Sequence, residues 1–581
     1  MRTSAATLLH AVDHAMALRE RALIAPLADL ELDPDSVYAE MYAQLFWDTR
    51  ADDDDTPDPA IELVMIDEML RQERILDAID YALLYKGANL ISLAIDDCIA
   101  RFDSLSVEER ADLQRTRFAF AAPTALGWVR LSDAGSEAYG AAAATAIDAR
   151  GARAHDLLLI DVAGDDRYRQ AGATPSAACG AAVVIDFEGD DQYISADAPD
   201  WQSYNASVDG RSDAFAHHRS RDHAPAFGAG ILGYGFLVDL GGNDRYACPF
   251  GAQGCGVLGQ GVLVDAAGDH QYTGDTGLQG SGTFGVGVLT DLAGDDVYHC
   301  YHRAQGYGYT LGCGLLSDAA GDDAYIAETE NVKYRWFGTH PQQLNMSQGF
   351  GFGRRADMSD GHSWAGGVGM LADGGDGNDR YHADIFALGS AYWYSLGILY
   401  DGGGNDDYAS YAYSLASPPH FAVGVVIDEG GDDVYRGHGS RACGFGRDFS
   451  IGWFEECGGN DRYYVNDSAC GVGNVNGLGV CWEKSGDDIY VARSNSFGQP
   501  FVEGHGSPRD FIINAGLFID AAGEDRYRQL PEDFDAGAAE PFEFGVGDDY
   551  PAHDWLRDGT RKSWRGHLEQ PLSTGAALDV P

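Results

Sequence analysis

Residues 285–298 read GVGVLTDLAGDDVY. The first half is a short apolar run, bounded by Gly and rich in Val and Leu, which reads as a buried strand. The second half carries the phrase Asp-x-x-Gly-(Asp/Asn)-Asp-x-Tyr, and that phrase recurs along the chain. DVAGDDRY begins at 161, DFEGDDQY at 186, DLGGNDRY at 239, DAAGDDAY at 318, DEGGDDVY at 428 and DAAGEDRY at 520. Counted by their glycines there are twelve copies: Gly164, Gly189, Gly242, Gly268, Gly294, Gly321, Gly377, Gly404, Gly431, Gly459, Gly486 and Gly523. Successive spacings are 25, 53, 26, 26, 27, 56, 27, 27, 28, 27 and 37 residues. A fixed period near 27 is the mark of a repeat array. Degenerate copies, DAGSEAY at 133 and GVGDDY at 545, flank it as end-capping repeats should.

Upstream of the apolar run several copies carry Gln-Gly-x-Gly, at Gln253, Gln279, Gln305 and Gln348. One repeat therefore holds two or three short strands joined by Gly-rich corners. So small a unit cannot bury its own apolar face, but stacked copies can. The expected fold is mainly β, a right-handed parallel β-helix with ~27-residue coils rising ~4.8 Å each. The alternative is a β-propeller, whose blades of about 40 to 45 residues fit this period less well. The first ~125 residues differ. IELVMIDEMLRQERILDAIDYALLYKG (61–87) has helical spacing, Ser106 to Glu109 is a capping box, and Asp33-Pro34 and Asp58-Pro59 are helix starts. The expected division is an α-helical N-terminal cap over 1–125, a β-solenoid over 126–550 and a C-terminal tail over 551–581.

The 581 residues carry 91 acids against 39 bases, a formal net charge of -52. Nucleic-acid binding needs a positive face, so that function class is excluded. Bound cations, cationic partners or a salt-adapted surface fit instead. Ten cysteines without a CxxC pair read as mostly free, buried thiols. His10, Asp13 and His14 interrupt the first segment, so no N-terminal signal peptide is expected, and no apolar run reaches membrane-spanning length. The compartment is left open between the cytoplasm and export by a non-classical route.

Stacking turns the motif into a ladder. The twelve copies supply 31 Asp or Glu, a third of all acids in the chain. Like charges one coil apart repel by about 1 kcal/mol or more per pair. A hard divalent cation between coils would offset that repulsion, and calcium takes six to eight oxygens of the kind such corners offer. The alternative is metal-free, since Asp and Asn also close turns by bonding their own backbone.

GGDGNDRY (374–381) and GGGNDDY (402–408) resemble the calcium-binding repeat of repeats-in-toxin β-roll proteins, in which a loop Asp and loop carbonyls hold calcium between coils. The resemblance implies Ca2+ as cofactor, with Asp166, Asp191, Asp244, Asp296, Asp323, Asp379, Asp406, Asp433, Asp461, Asp488 and Asp525 as metal ligands. This chain departs from the family in its longer period, in the missing first Gly of most copies, and in His270, which stands where the ligand Asp is due.

The long gaps read as insertions at one corner, roughly 194–226 and 326–347, expected to wall a groove about 20 Å long. Scarce bases gather there with aromatics, so the candidate ligand-binding residues are Trp201, His217, His218, Arg219, His223, Tyr301, Tyr334, Arg335 and Trp336. Such side chains suit a polysaccharide or another polymer. The leading function is thus a cation-stabilised binding or scaffold module. A polysaccharide lyase or glycoside hydrolase is the rival, with His299, His302 and Arg303 as its catalytic candidates. A purely structural surface protein is the third class.

Overall fold

A computed structural model describes residues 2–46, 59–115, 119–133, 135–139, 155–196, 198, 224–334, 342–357, 361–501, 513–531, 550–565 and 573–581. The chain is mainly β, a parallel β-solenoid of about twelve turns of roughly 27 residues with helices in its N-terminal region. Successive copies pair parallel, strand on equivalent strand, which is the geometry of a solenoid and not of propeller blades. The chain forms two compact units: residues 1–207, 212–295 and 356–362 make the first, and 208–211, 296–355 and 363–581 the second.

In the first unit, helices span Arg2–Arg19, Pro34–Ala43, Pro59–Ala78, Tyr81–Asp103 and Val107–Arg115. Their starts are capped as the sequence requires. Asp33 accepts the Ser36 N–H, and Ser106 and Glu109 bond each other's backbone reciprocally. Asp80 caps a helix by accepting from Leu83 N–H, so the helical stretch 61–87 breaks in two there. The helices dock on the coils through buried polar anchors. Arg19 donates to the Leu232 and Ala177 carbonyls at 2.6 Å each, Tyr38 to Thr174, and Tyr234 back to Leu84. Parallel long strands Asp156–Ile160, Ala181–Ile185, Tyr234–Asp239, Gln260–Asp265 and Val286–Asp291 form one wall of this unit. The strands carrying the motif Tyr, such as Arg245–Phe250 and Gln271–Thr276, form another.

The second unit repeats the scheme. Its long strands run Cys313–Asp318, Val368–Asp373, Leu396–Asp401, Val423–Asp428, Ile451–Glu456, Leu478–Glu483 and Ala515–Asp520. Thr574–Asp579, within the stretch read as a tail, adds one more parallel strand beside Ala515–Asp520.

Strand alternation decides what each coil buries. In Val286–Asp291 burial alternates residue by residue, so Gly287, Leu289 and Asp291 face inward. The strand-ending Asp is therefore an interior residue. The motif tyrosines are interior too. Within each unit they stack on their counterparts at centroid distances of 4.6–5.0 Å, from Tyr139 to Tyr272 and from Tyr298 to Tyr527.

The motif Gly has no substitute. Gly404 has φ +148°, and a Cβ there would lie 1.5 Å from the Gly377 carbonyl oxygen of the coil below. The long gaps are decorated coils, because Asp191 donates directly to Asp244, 53 residues on, and Asp323 to Asp379, 56 residues on. Among the described residues no helix is long and apolar enough to cross a membrane.

Candidate metal centre

Each motif places three acidic slots at two depths. The first acid ends the long strand and points inward. Asp428 shows its bonding: Oδ2 accepts the Tyr408 hydroxyl at 2.8 Å, and Oδ1 accepts the Gly430 N–H at 3.1 Å. The tyrosine contact recurs at Asp265, Asp291, Asp318, Asp373 and, as a glutamate, Glu483.

The middle slot is exposed and holds Asp or Asn. Its side-chain oxygen accepts the backbone N–H of the equivalent residue in the next coil. Examples are Asn243 to Asp190 (2.9 Å), Asp432 to Asn405 (2.9 Å) and Asn460 to Asp432 (2.8 Å). This row closes turns without any ion, as Asx residues commonly do.

The last slot holds the eleven aspartates singled out above, and all eleven are buried. One oxygen of each forms a ladder. Asp406 N–H donates to Asp433 Oδ1 at 2.6 Å, Asp433 N–H to Asp461 Oδ1 at 2.7 Å, and Asp296 N–H to Asp323 Oδ1 at 2.7 Å. The other oxygen is different. Oδ2 of Asp166, Asp191, Asp244, Asp323, Asp379, Asp406, Asp433, Asp461 and Asp525 is buried and accepts no hydrogen bond. Asp488 Oδ2 meets only the Tyr490 hydroxyl, at 3.4 Å.

These orphaned oxygens converge on the first row. Asp166, Asp186 and Asp191 bring one ligand oxygen each within 4.8 Å of one another, and so do Asp191, Asp239 and Asp244. Burial, then repulsion from the neighbouring first-row carboxylate, pushes Asp323 and Asp406 up to about 10 and Asp433 to about 9. A buried uncompensated carboxylate costs several kcal/mol, so a row of them needs either a proton or a cation at every step.

The donor set fits a hard cation. Almost every ligand atom is a carboxylate oxygen, which is what calcium, rather than zinc or copper, selects. Charge fits as well, since every coil but that of His270 contributes two inner acids and one divalent ion would balance two.

No protein-family model, no curated protein and no solved structure matches the chain.

The other sequence candidates fall in two groups. Trp201, His217, His218, Arg219, His223, Arg335 and Trp336 lie outside the described residues. The remainder are built into packing. Tyr301 is fully buried under the Lys333 ammonium, 3.2 Å from its ring centre. His302 meets the Leu344 carbonyl at 2.7 Å through Nδ1 and stacks on Tyr334 at 4.4 Å. Arg303 is 6 % exposed beside the Phe352 ring. His299 and Tyr334 keep partial exposure, and His299 contacts Glu328 at 3.3 Å. Burial opposes the charge on Glu328, but the His299 bond and the N–H groups of Asn331 and Glu330 outweigh it and bring the carboxyl to about 2.

Sequence reasoning missed the first acid row as a partner of the second. The signal was present, because inward Gly and Leu alternate up to that Asp in strand after strand. It also left the Gln-Gly glutamines at the corners without a role. Gln279, Gln305 and Gln348 are buried, and each donates through Nε2 to the carbonyl of its motif Tyr.

Proposed function

We propose that the chain is a cation-stabilised β-solenoid scaffold, its acidic row filled by calcium, that presents its inserted segments to a polymer. The row of buried Oδ2 atoms without hydrogen-bond partners carries this assignment. Ordinary turn-closing aspartates satisfy both oxygens or expose them, as the middle row does. At nine coils these do neither. The competing occupant is a proton shared between neighbouring carboxyls, which the contact between Asp186 and Asp191 would permit.

The two occupants separate cleanly by experiment. Calcium bound per chain, measured by elemental analysis after gel filtration in calcium buffer, should approach one ion per complete inter-coil site. A count near zero at pH 8, with an unchanged melting temperature in chelator, would assign the row to protons. The polymer partner rests on sequence alone, on the aromatic and basic residues of 194–226 and 326–347. Polysaccharide retention without chain cleavage supports a binding module. The packing of His302 and Arg303 gives cleavage chemistry no support.

A further inference from the structure

The last slot is Asp in eleven of the twelve motif copies and His at 270. His270 is 1 % exposed, so it sits inside the row and not beside it. Its Nδ1 accepts the Asp244 N–H at 3.1 Å, the same ladder bond that Oδ1 accepts in the aspartate coils. A neutral imidazole that accepts through one nitrogen carries its hydrogen on the other. Here that other nitrogen, Nε2, lies 3.1 Å from Asp265 Oδ1 and 4.0 Å from Asp291 Oδ2. The 3.1 Å approach is too bent for an ideal hydrogen bond, but it sets the N–H dipole against the carboxylate. Asp244, Asp265 and His270 otherwise form the same three-residue cluster as the neighbouring coils.

We infer that His270 is a built-in break in the cation row, a neutral donor standing where one ion would bind. Three features of the site agree. The hydrogen on Nε2 fills the direction a metal would need for the nitrogen lone pair. Turning the ring to free that lone pair breaks the ladder bond to Asp244. The cluster also holds two acids, Asp244 and Asp265, where the neighbouring clusters hold three, so it draws a divalent ion less strongly. The inference rests on the cation reading of the row and adds its specificity. Aspartate in the last slot recruits an ion, and histidine replaces one. In effect the row is divided by residue choice at a single coil.

The test uses the full-length chain and counts calcium and zinc together by elemental analysis. Wild type is compared with His270→Asp and His270→Gln. Asp restores the missing carboxylate, whereas Gln keeps one acceptor and one N–H donor without charge. His270→Asp is expected to bind one calcium more than wild type, and His270→Gln the same number as wild type. Equal calcium in His270→Asp and wild type overturns the inference while leaving the cation row intact. So does zinc held by wild type and lost in His270→Gln, which would make His270 a ligand. If wild type binds no calcium, the cation reading itself fails, and that failure is visible before either variant is made. Should His270→Asp fail to fold, His270→Gln decides alone: an unchanged count supports the break, and a lost ion overturns it.

Discussion

Asp432 and Asp433 are neighbours of the same residue type, in the same turn, with opposite chemistry. Asp432 is exposed, and its Oδ1 is satisfied by the Asn460 backbone N–H and side-chain amide. Asp433 is fully buried, and its Oδ2 has no hydrogen-bond partner. The repeats draw the same line. The middle slot accepts the uncharged amide at Asn243, Asn378, Asn405 and Asn460, while the last slot is never Asn in twelve copies. Turn closure needs an acceptor oxygen and is indifferent to charge. The inner slot keeps an ionisable side chain although burial opposes its charge, and that asymmetry is what the cation reading accounts for.

Removing the ion should have the largest effect. Each site at a hundredfold excess of calcium over its dissociation constant contributes about 2.7 kcal/mol, and many sites act together. Chelation at pH 8 is expected to lower the melting temperature by 10 °C or more, read by circular dichroism. The metal-free protein should then show the pH dependence of its raised carboxyls. Asp323 and Asp406 titrate near 10 in the folded state against an ordinary 3.8. The folded chain thus holds more protons than the unfolded one between those values, and stability falls as pH rises through that window. Calcium replaces those protons, so its presence should flatten the slope at neutral pH. A metal-free protein more stable at pH 9 than at pH 5 would break the account of the inner row.

Backbone approach between coils supplies the next effect. Gly404→Ala sets a Cβ 1.5 Å from the Gly377 carbonyl at a φ that other residues avoid. A loss of more than about 3 kcal/mol is expected in urea unfolding, with or without calcium. Gly241 is the control, since a Cβ there meets nothing within 4 Å. Gly241→Ala should stay within about 0.5 kcal/mol of wild type.

Much of this was legible before any coordinates. The 27-residue period, the parallel stacking and the in-register row of eleven aspartates follow from DLAGDDVY and its copies, while the burial of that row comes from the structure. The turn-closing and metal-binding readings of the motif competed only because both were assigned to one residue. The structure gives the middle slot to turn closure alone, whereas the last slot closes the ladder with Oδ1 and leaves Oδ2 buried without a hydrogen bond. The role of Asp291 and its equivalents was harder to see, since a strand-ending Asp looks like the start of a loop. Only the period-2 alternation through Gly287 and Leu289 places it inside. Tyr301, His302 and Arg303 stood out because bases are scarce. Their burial depends on which way a corner turns, and composition does not encode that.

The smallest expected effect is the most diagnostic. Asp433→Asn keeps the Oδ1 acceptor for Asp406 N–H but removes the charge that an ion needs. It should lose at least one bound calcium and about 2–3 kcal/mol in calcium buffer, while the metal-free variant becomes at least as stable as metal-free wild type because a buried repulsion is gone. Asp432→Asn makes the same chemical change one residue away. Because Asn already serves that slot in four coils, its calcium count should equal wild type and its stability should shift by less than about 0.5 kcal/mol. If instead Asp432→Asn sheds calcium and Asp433→Asn does not, the ions sit on the exposed ladder, and the buried row must be carrying protons.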